Sequence, residues 1–226
     1  MSEKFETYRI NEPNIYREMN YSTISGVLED EFTYSHTSFE KNFYKNRVMI
    51  ARNSGTIDYL PIIVPESLIP NGSSCKKWIE ITGSLRSINK MGEDGHNHLE
   101  IFIYPYTLCI YETQLELKES VNVNKIYLNG YICQEPIRRI TPFNRIIADF
   151  MIAVKRAGKS QRLDHIPCIA WGKNANWIST LKKGEKIKLY GRLQSRDYFK
   201  RQSPDSEEGE YKTTYELSVS RIEKEE

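Results

Sequence analysis

In the stretch GRLQSRDYFKR, residues 191–201, alternation puts Arg192, Gln194, Arg196 and Tyr198 on one face of a strand and Leu193 and Ser195 on the other. Two guanidinium groups, an amide and a phenol in a row suit a ligand that is anionic and carries flat rings. The cations meet phosphates and the ring stacks on a base. Phe199, Lys200 and Arg201 continue the surface toward a hairpin end. The competing reading is a solvated sheet face with an incidental tyrosine.

A second aromatic stands in IPCIAWGKNA, residues 166–175, where an apolar run ends in Trp171 and breaks into Gly172 and Lys173. Pro167 has no N–H for a strand ladder and belongs near the strand's start. Counting from it, Ile169 and Trp171 share one face, while the small Cys168 and Ala170 share the other and suit a tight interior. Alternation alone does not decide whether Trp171 points outward or into the core. Two basic segments lie nearby. VKRAGKSQR brings Lys155, Arg156, Lys159 and Arg162 to a loop rim, and PIRRITPFNR brings Arg138, Arg139 and Arg145 to a turn. Arg139 reads equally well as a phosphate contact or as a structural cation tying its loop to the sheet.

The charge along the chain supports a polyanion partner. Residues 1–120 hold 12 Lys+Arg against 17 Asp+Glu, whereas residues 121–202 hold 17 against 5. Such density in one region matches a phosphate backbone, because Lys and Arg release condensed counterions there. Catalysis is not expected, since no GxSxG, Walker loop or Cys–His pair appears. Neither metal nor cofactor is expected: His96 and His98 in GEDGHNH fit an exposed hairpin tip. Cys75, Cys109, Cys133 and Cys168 are too scattered for a metal or redox motif and read as buried, reduced thiols. No apolar run is long enough to span a membrane and no signal pattern opens the chain, so a soluble cytoplasmic protein is expected.

The elements that must position these residues occur twice. NYSTISGVLEDEFTYSHT from Asn20 matches NKIYLNGYICQEPIRRIT from Asn124, with Gly26 against Gly130. RVMIARNSGTIDYLPIIVP from Arg47 matches DFMIAVKRAGKSQRLDHIPCIAW from Asp149, and WIEITGSLRSIN from Trp78 matches KIKLYGRLQSRD from Lys186. LEIFIYPYTLCIYE falls opposite YELSVSRIEKEE. In the second copy, five strand-like runs enclose one short helix, GKNANWISTLKKGE, with Gly184 as its left-handed cap. There Trp177 and Leu181, four residues apart, are expected to pack together beneath the barrel.

The order β-β-β-α-β-β is that of the OB fold, a five-stranded Greek-key barrel. The chain thus reads as all-β, two tandem OB barrels: a diverged one over residues 1–120 and a second over 121–226. In the first copy PESLIPNGSSCKKW carries two prolines and a glycine where the helix would lie, so that helix is expected to be lost or reduced. Residues 1–19 read as an arm or an added strand.

From Asn124 to about Glu223, the second copy resembles the bacterial single-stranded DNA-binding protein family. The resemblance rests on NKIYLNGYI, PIRRITPFN, DFMIAVKR, IPCIAWGKNA, LKKGEKIKLYGRLQSRDY and YELSVSRIE in that order. It implies base stacking on Trp171 and Tyr198, so that Trp171 points outward. It further implies wrapping of single strands without sequence preference and an assembly of four OB domains, which a homodimer of this chain would supply. Three features depart from the family. The loop VKRAGKS replaces an expected aromatic. The sequence ends at SRIEKEE where the family carries an acidic, aromatic-tipped tail, so recruitment of replication or repair partners by that route is not expected. The first copy has Pro65 and Lys90 at the positions of Trp171 and Tyr198, and its expected role is therefore architectural. The alternative functions are a protein-interaction adaptor in a replication or mobile-element complex, and a single-stranded RNA binder.

Overall fold

The alternating apolar runs become long strands whose inward residues are Ile, Leu, Val and Phe, side chains that suit a pleated, half-buried surface. A computed structural model describes residues 5–10, 19–92, 95–114, 121–156, 162–201 and 208–224. In chain order it holds β1 (Phe5–Arg9), β2 (Asn20–Leu28), β3 (Thr33–Ser38), β4 (Lys41–Ala51), β5 (Ile57–Pro65), β6 (Trp78–Met91) and β7 (Asn97–Tyr111). After residues 115–120, which lie outside the described residues and hold the join expected between the copies, come β8 (Asn124–Ile132), β9 (Ile137–Ile140), β10 (Ile146–Lys155) and β11 (Leu163–Trp171). Helix α1 (Gly172–Ile178), β12 (Lys186–Arg201) and β13 (Gly209–Lys224) follow.

Each copy closes the same way. β2 pairs with β6 and β4, and β5 joins β7 in parallel at Ile62 and Ile103. Correspondingly, β8 pairs with β12 and β10, and β11 joins β13 in parallel at Cys168 and Leu217. These are two tandem OB barrels. Gly130 shows why both copies need glycine in the first strand: a Cβ there would lie 2.3 Å from the Ala153 carbonyl oxygen, and at Gly26 it would lie 2.2 Å from that of Met49. The opening asparagines are also equivalent. Asn20 Nδ2 donates to the Leu85 carbonyl at 2.6 Å and the Leu85 N–H donates back at 2.8 Å, as Asn124 does with Leu193 at 2.7 and 2.9 Å.

Between the barrels β2 and β8 run antiparallel, from Asn20 opposite Leu128 to Ile24 opposite Asn124. The repeat maps this register onto itself, so the barrels are related by an approximate two-fold axis, and one sheet runs through both.

Several local expectations change. PIRRIT, read as a turn region, contains β9, which pairs with β10. The first copy's helix is reduced to a 3-10 turn at Glu66–Leu68. The N-terminal segment adds strand β1 to β7. Trp177 is 38% exposed, contrary to its expected core position; in so short a helix the barrel takes Ala175 and Ile178, with Leu181 just beyond it, and Trp177 is left outside. The four cysteines are free, but only Cys168 is buried, because the others sit near strand ends or on outer faces.

Candidate nucleic-acid interface

Strand pairing decides which way each side chain points. Leu193 of β12 faces Leu217 of β13, which faces Cys168 of β11, and all three are buried in the barrel. One residue along, Arg192 faces Ser218 and Ser218 faces Ile169, so these lie on the outer face. Stepping by two from them puts Trp171 on that face from β11, and Gln194, Arg196 and Tyr198 from β12. Opposite Trp171 on β10 stands Ile147, and opposite Ile147 on β9 stands Arg139. The result is a continuous outer face with Trp171 (38% exposed) in its middle strands and Tyr198 (39%) at one end.

The arginines between them are fixed from below. Gln194, buried despite its outward direction, donates to Glu216 at 2.9 Å and accepts from Arg192 at 3.4 Å. The Glu216 carboxylate also lies 4.0 Å from Arg196, whose side chain stays 61% exposed. Burial and the Glu216 carboxylate push the Cys168 thiol beneath this face well above its ordinary range. The carboxylate thus meets Arg196 directly and Arg192 only through Gln194, and it leaves the Arg196 head exposed.

The other residues singled out from sequence divide. Lys173 is exposed in the first turn of α1, and Lys155 at the end of β10 shares the outer parity of Ile147. Arg145 flanks the β9–β10 turn, where the Thr141 Oγ1 accepts its N–H at 3.1 Å. Arg139 is ion-paired with Asp149 on the outer face, and its side chain stays 59% exposed. Phe199 is on the opposite face of the hairpin from Tyr198, packed edge-on against Tyr211 at 5.3 Å between centroids. Lys159 lies outside the described residues, as does the side chain of Lys200.

Arg156 does not belong to the rim. Its guanidinium holds the buried Asp164 carboxylate at 2.7 Å and donates to the Ser87 carbonyl of the first barrel, also at 2.7 Å. Asp164 in turn accepts the Ser87 N–H at 2.7 Å. The residue is committed to joining the barrels, because a carboxylate with no exposed surface requires a cation beside it.

Two strongly exposed aromatics of the second barrel are among those that escaped the sequence reading. Phe143, at the tip of the β9–β10 turn beside Arg145, is 86% exposed, and Tyr211 is 81% exposed. The signal for Phe143 was present in TPFN: an aromatic inside a turn has no core to enter.

Comparison with known proteins bears on this face. The model of the single-strand binding protein family matches residues 123–224. This chain carries a domain of the single-strand binding protein family. Within it, 81 residues are 38% identical to the single-stranded DNA-binding protein of Bacillus cereus, covering 34% of this chain and 48% of that one. Single-stranded DNA-binding protein 2 of Listeria innocua is 36% identical over 81 residues, covering 34% of this chain and 51% of its own. The chain spans about half the length of the curated relatives it matches. Among solved structures, the wild-type single-stranded DNA binding protein from Thermus aquaticus superposes with a TM-score of 0.68 at 18% identity, covering 92% of this chain and 93% of that one. That likeness extends over both barrels and carries the fold.

Proposed function

We propose that this protein binds single-stranded DNA without sequence preference and shields it during replication, recombination or repair. The observation that carries the reading is the outer face on which Trp171 and Tyr198 stand with Arg192 and Arg196 between them. Stacking is sequence-tolerant because every base has a π-face, and the arginines follow the backbone. The curated relatives of the second barrel carry the same activity in their names. Binding is accordingly assigned to Trp171, Tyr198, Arg192, Arg196, Lys173, Lys155 and Arg145. The barrels divide near residues 120 and 121. A homodimer, joining two such barrel pairs, presents four.

The test is a titration of poly-dT, poly-U and duplex DNA against intrinsic tryptophan fluorescence across a salt series. Saturable quenching by poly-dT that weakens steeply with salt is the expected result. Equal or tighter binding of poly-U assigns the face to RNA, and tight binding of duplex alone ends the proposal. Light scattering tests the assembly, which a monomer at 26.5 kDa would refute.

A further inference from the structure

The first barrel was expected to lack stacking residues because Pro65 and Lys90 occupy the positions of Trp171 and Tyr198. Its outer face is nonetheless aromatic. Ile103 of β7 points inward, so its neighbours Phe102 and Tyr104 point outward. Phe43 of β4 lies opposite Pro65 of β5, and its ring stacks on His36 of β3 with centroids 4.9 Å apart and planes 10° from parallel. Phe43 also approaches Tyr104 at 6.5 Å, and the Arg86 guanidinium lies 5.8 Å over the Tyr104 ring. In the second barrel the equivalent pair is Ile147 opposite Trp171. The aromatic has therefore moved one strand across, from β5 to β4, and stays on the same face.

The two faces meet. Tyr198, Lys212 and Thr214 of the β12–β13 hairpin line one cleft of about 1440 Å3 together with Lys45, Ile63 and Phe102 of the first barrel. We propose that the outer face of the first barrel, centred on Phe43 and Tyr104, is a second base-stacking face for the same single strand, reached from the first through this cleft. This rests on the single-strand reading given above. The charge of this face differs from that of the second. Glu29, Asp30, Glu31 and Glu100 line the cleft too, with Glu29 paired to Arg47 and Glu100 to Lys90. Contact here is consequently dominated by stacking, and its contribution changes little with salt, in contrast to the phosphate contacts of the second barrel.

The experiment uses the full chain and dT oligomers of two lengths: about 8 nucleotides, within the ~4–16 that one OB barrel occupies, and about 35. Phe43→Ala and Tyr104→Ala are expected to weaken binding of the long oligomer about ten-fold at both low and high salt, to leave the short one unchanged, and Tyr104→Phe to restore it. Trp171→Ala is expected to weaken both. Loss of the Trp171 effect would sink the underlying reading; a full Trp171 effect with no loss of long-oligomer affinity in the first-barrel variants would overturn this proposal alone. Photo-crosslinking of the unsubstituted protein to a 5-iodouracil-containing 35-mer gives a measure independent of any variant's folding. Adducts on peptides 41–47 or 101–107 are expected, and adducts confined to residues 121–224 would contradict the proposal.

Discussion

Asp58 of the first barrel accepts the backbone N–H of Ser195 of the second at 2.7 Å, and Ser195 Oγ at 3.1 Å. Arg52 Nε holds the same carboxylate at 2.7 Å and its Nη2 donates to the Ser195 carbonyl at 2.9 Å. The repeat reproduces three of these contacts in the opposite direction: the Ser87 N–H donates to Asp164, and Arg156 holds Asp164 and donates to the Ser87 carbonyl. Two buried carboxylates, each reaching across and each held by an arginine from its own barrel, lock the approximate two-fold axis.

Replacing Asp58 or Asp164 by Ala leaves a partly buried arginine without its counter-ion and a backbone N–H without its acceptor. The expected cost is about 3–5 kcal/mol for either, since breaking a buried pair strands the remaining charge. Chemical denaturation with paired variants checks it. A loss below about 1 kcal/mol would mean the junction rests on β2–β8 pairing alone.

Trp171→Ala and Tyr198→Ala are each expected to lower affinity for poly-dT by about 1–3 kcal/mol, with circular dichroism and melting temperature little changed. Arg156→Ala should instead lower stability before it lowers affinity, because its partners are Asp164 and Ser87. If Trp171→Ala melts the protein and affinity merely follows folding, Trp171 is a core residue.

Glu31 gives a pH signature. Its carboxylate accepts the Ser73 hydroxyl, the Ser74 N–H at 3.0 Å and hydroxyl at 2.9 Å, and the Cys75 N–H at 3.3 Å. These donors, the Ser73 hydroxyl foremost, hold its pKa at about 2 against an ordinary 4.5. A depressed carboxylate contributes stability that is present above its unfolded value and lost as pH falls from about 4.5 through about 2. Amide exchange at Ser74 is expected to accelerate over that window beyond the intrinsic trend. In Glu31→Gln the acceleration should already be present at neutral pH.

Cys168 is the last thiol expected to react with iodoacetamide, being buried with its thiol pushed well up, while Cys75, Cys109 and Cys133 are partly exposed. Its labelling rate, read by peptide mass, should follow global unfolding of the second barrel. Labelling of Cys168 as fast as Cys133 in the native protein would contradict the barrel interior assigned to it.

Much of this was legible in the sequence. Gly26 and Gly130, matched by the repeat, mark where a strand crosses a carbonyl too closely for a Cβ, and strand alternation gave the face of Arg192, Arg196 and Tyr198. The junction was legible but overlooked. Both copies contain Asp-x-x-Pro, at Asp58–Pro61 and Asp164–Pro167, and both keep a serine at 87 and 195, so a repeated buried ion pair was written twice. Arg156 was misassigned because a basic loop looks the same whether its cation faces solvent or a carboxylate from its own barrel. Gln194 was taken as surface because alternation gives direction and not depth. The first barrel's face was missed since equivalence by position finds only aromatics that stay on their strand, and Phe43 sits one strand over from Pro65.

The central claim is that Trp171 is a platform for bases. In a protein with Trp78→Phe and Trp177→Phe, Trp171 is the only tryptophan left, and its emission is measured as poly-dT is added at low and at high salt. The account predicts saturable quenching whose midpoint moves to higher DNA concentration with salt. Unchanged Trp171 emission while filter binding shows the DNA fully bound would contradict it.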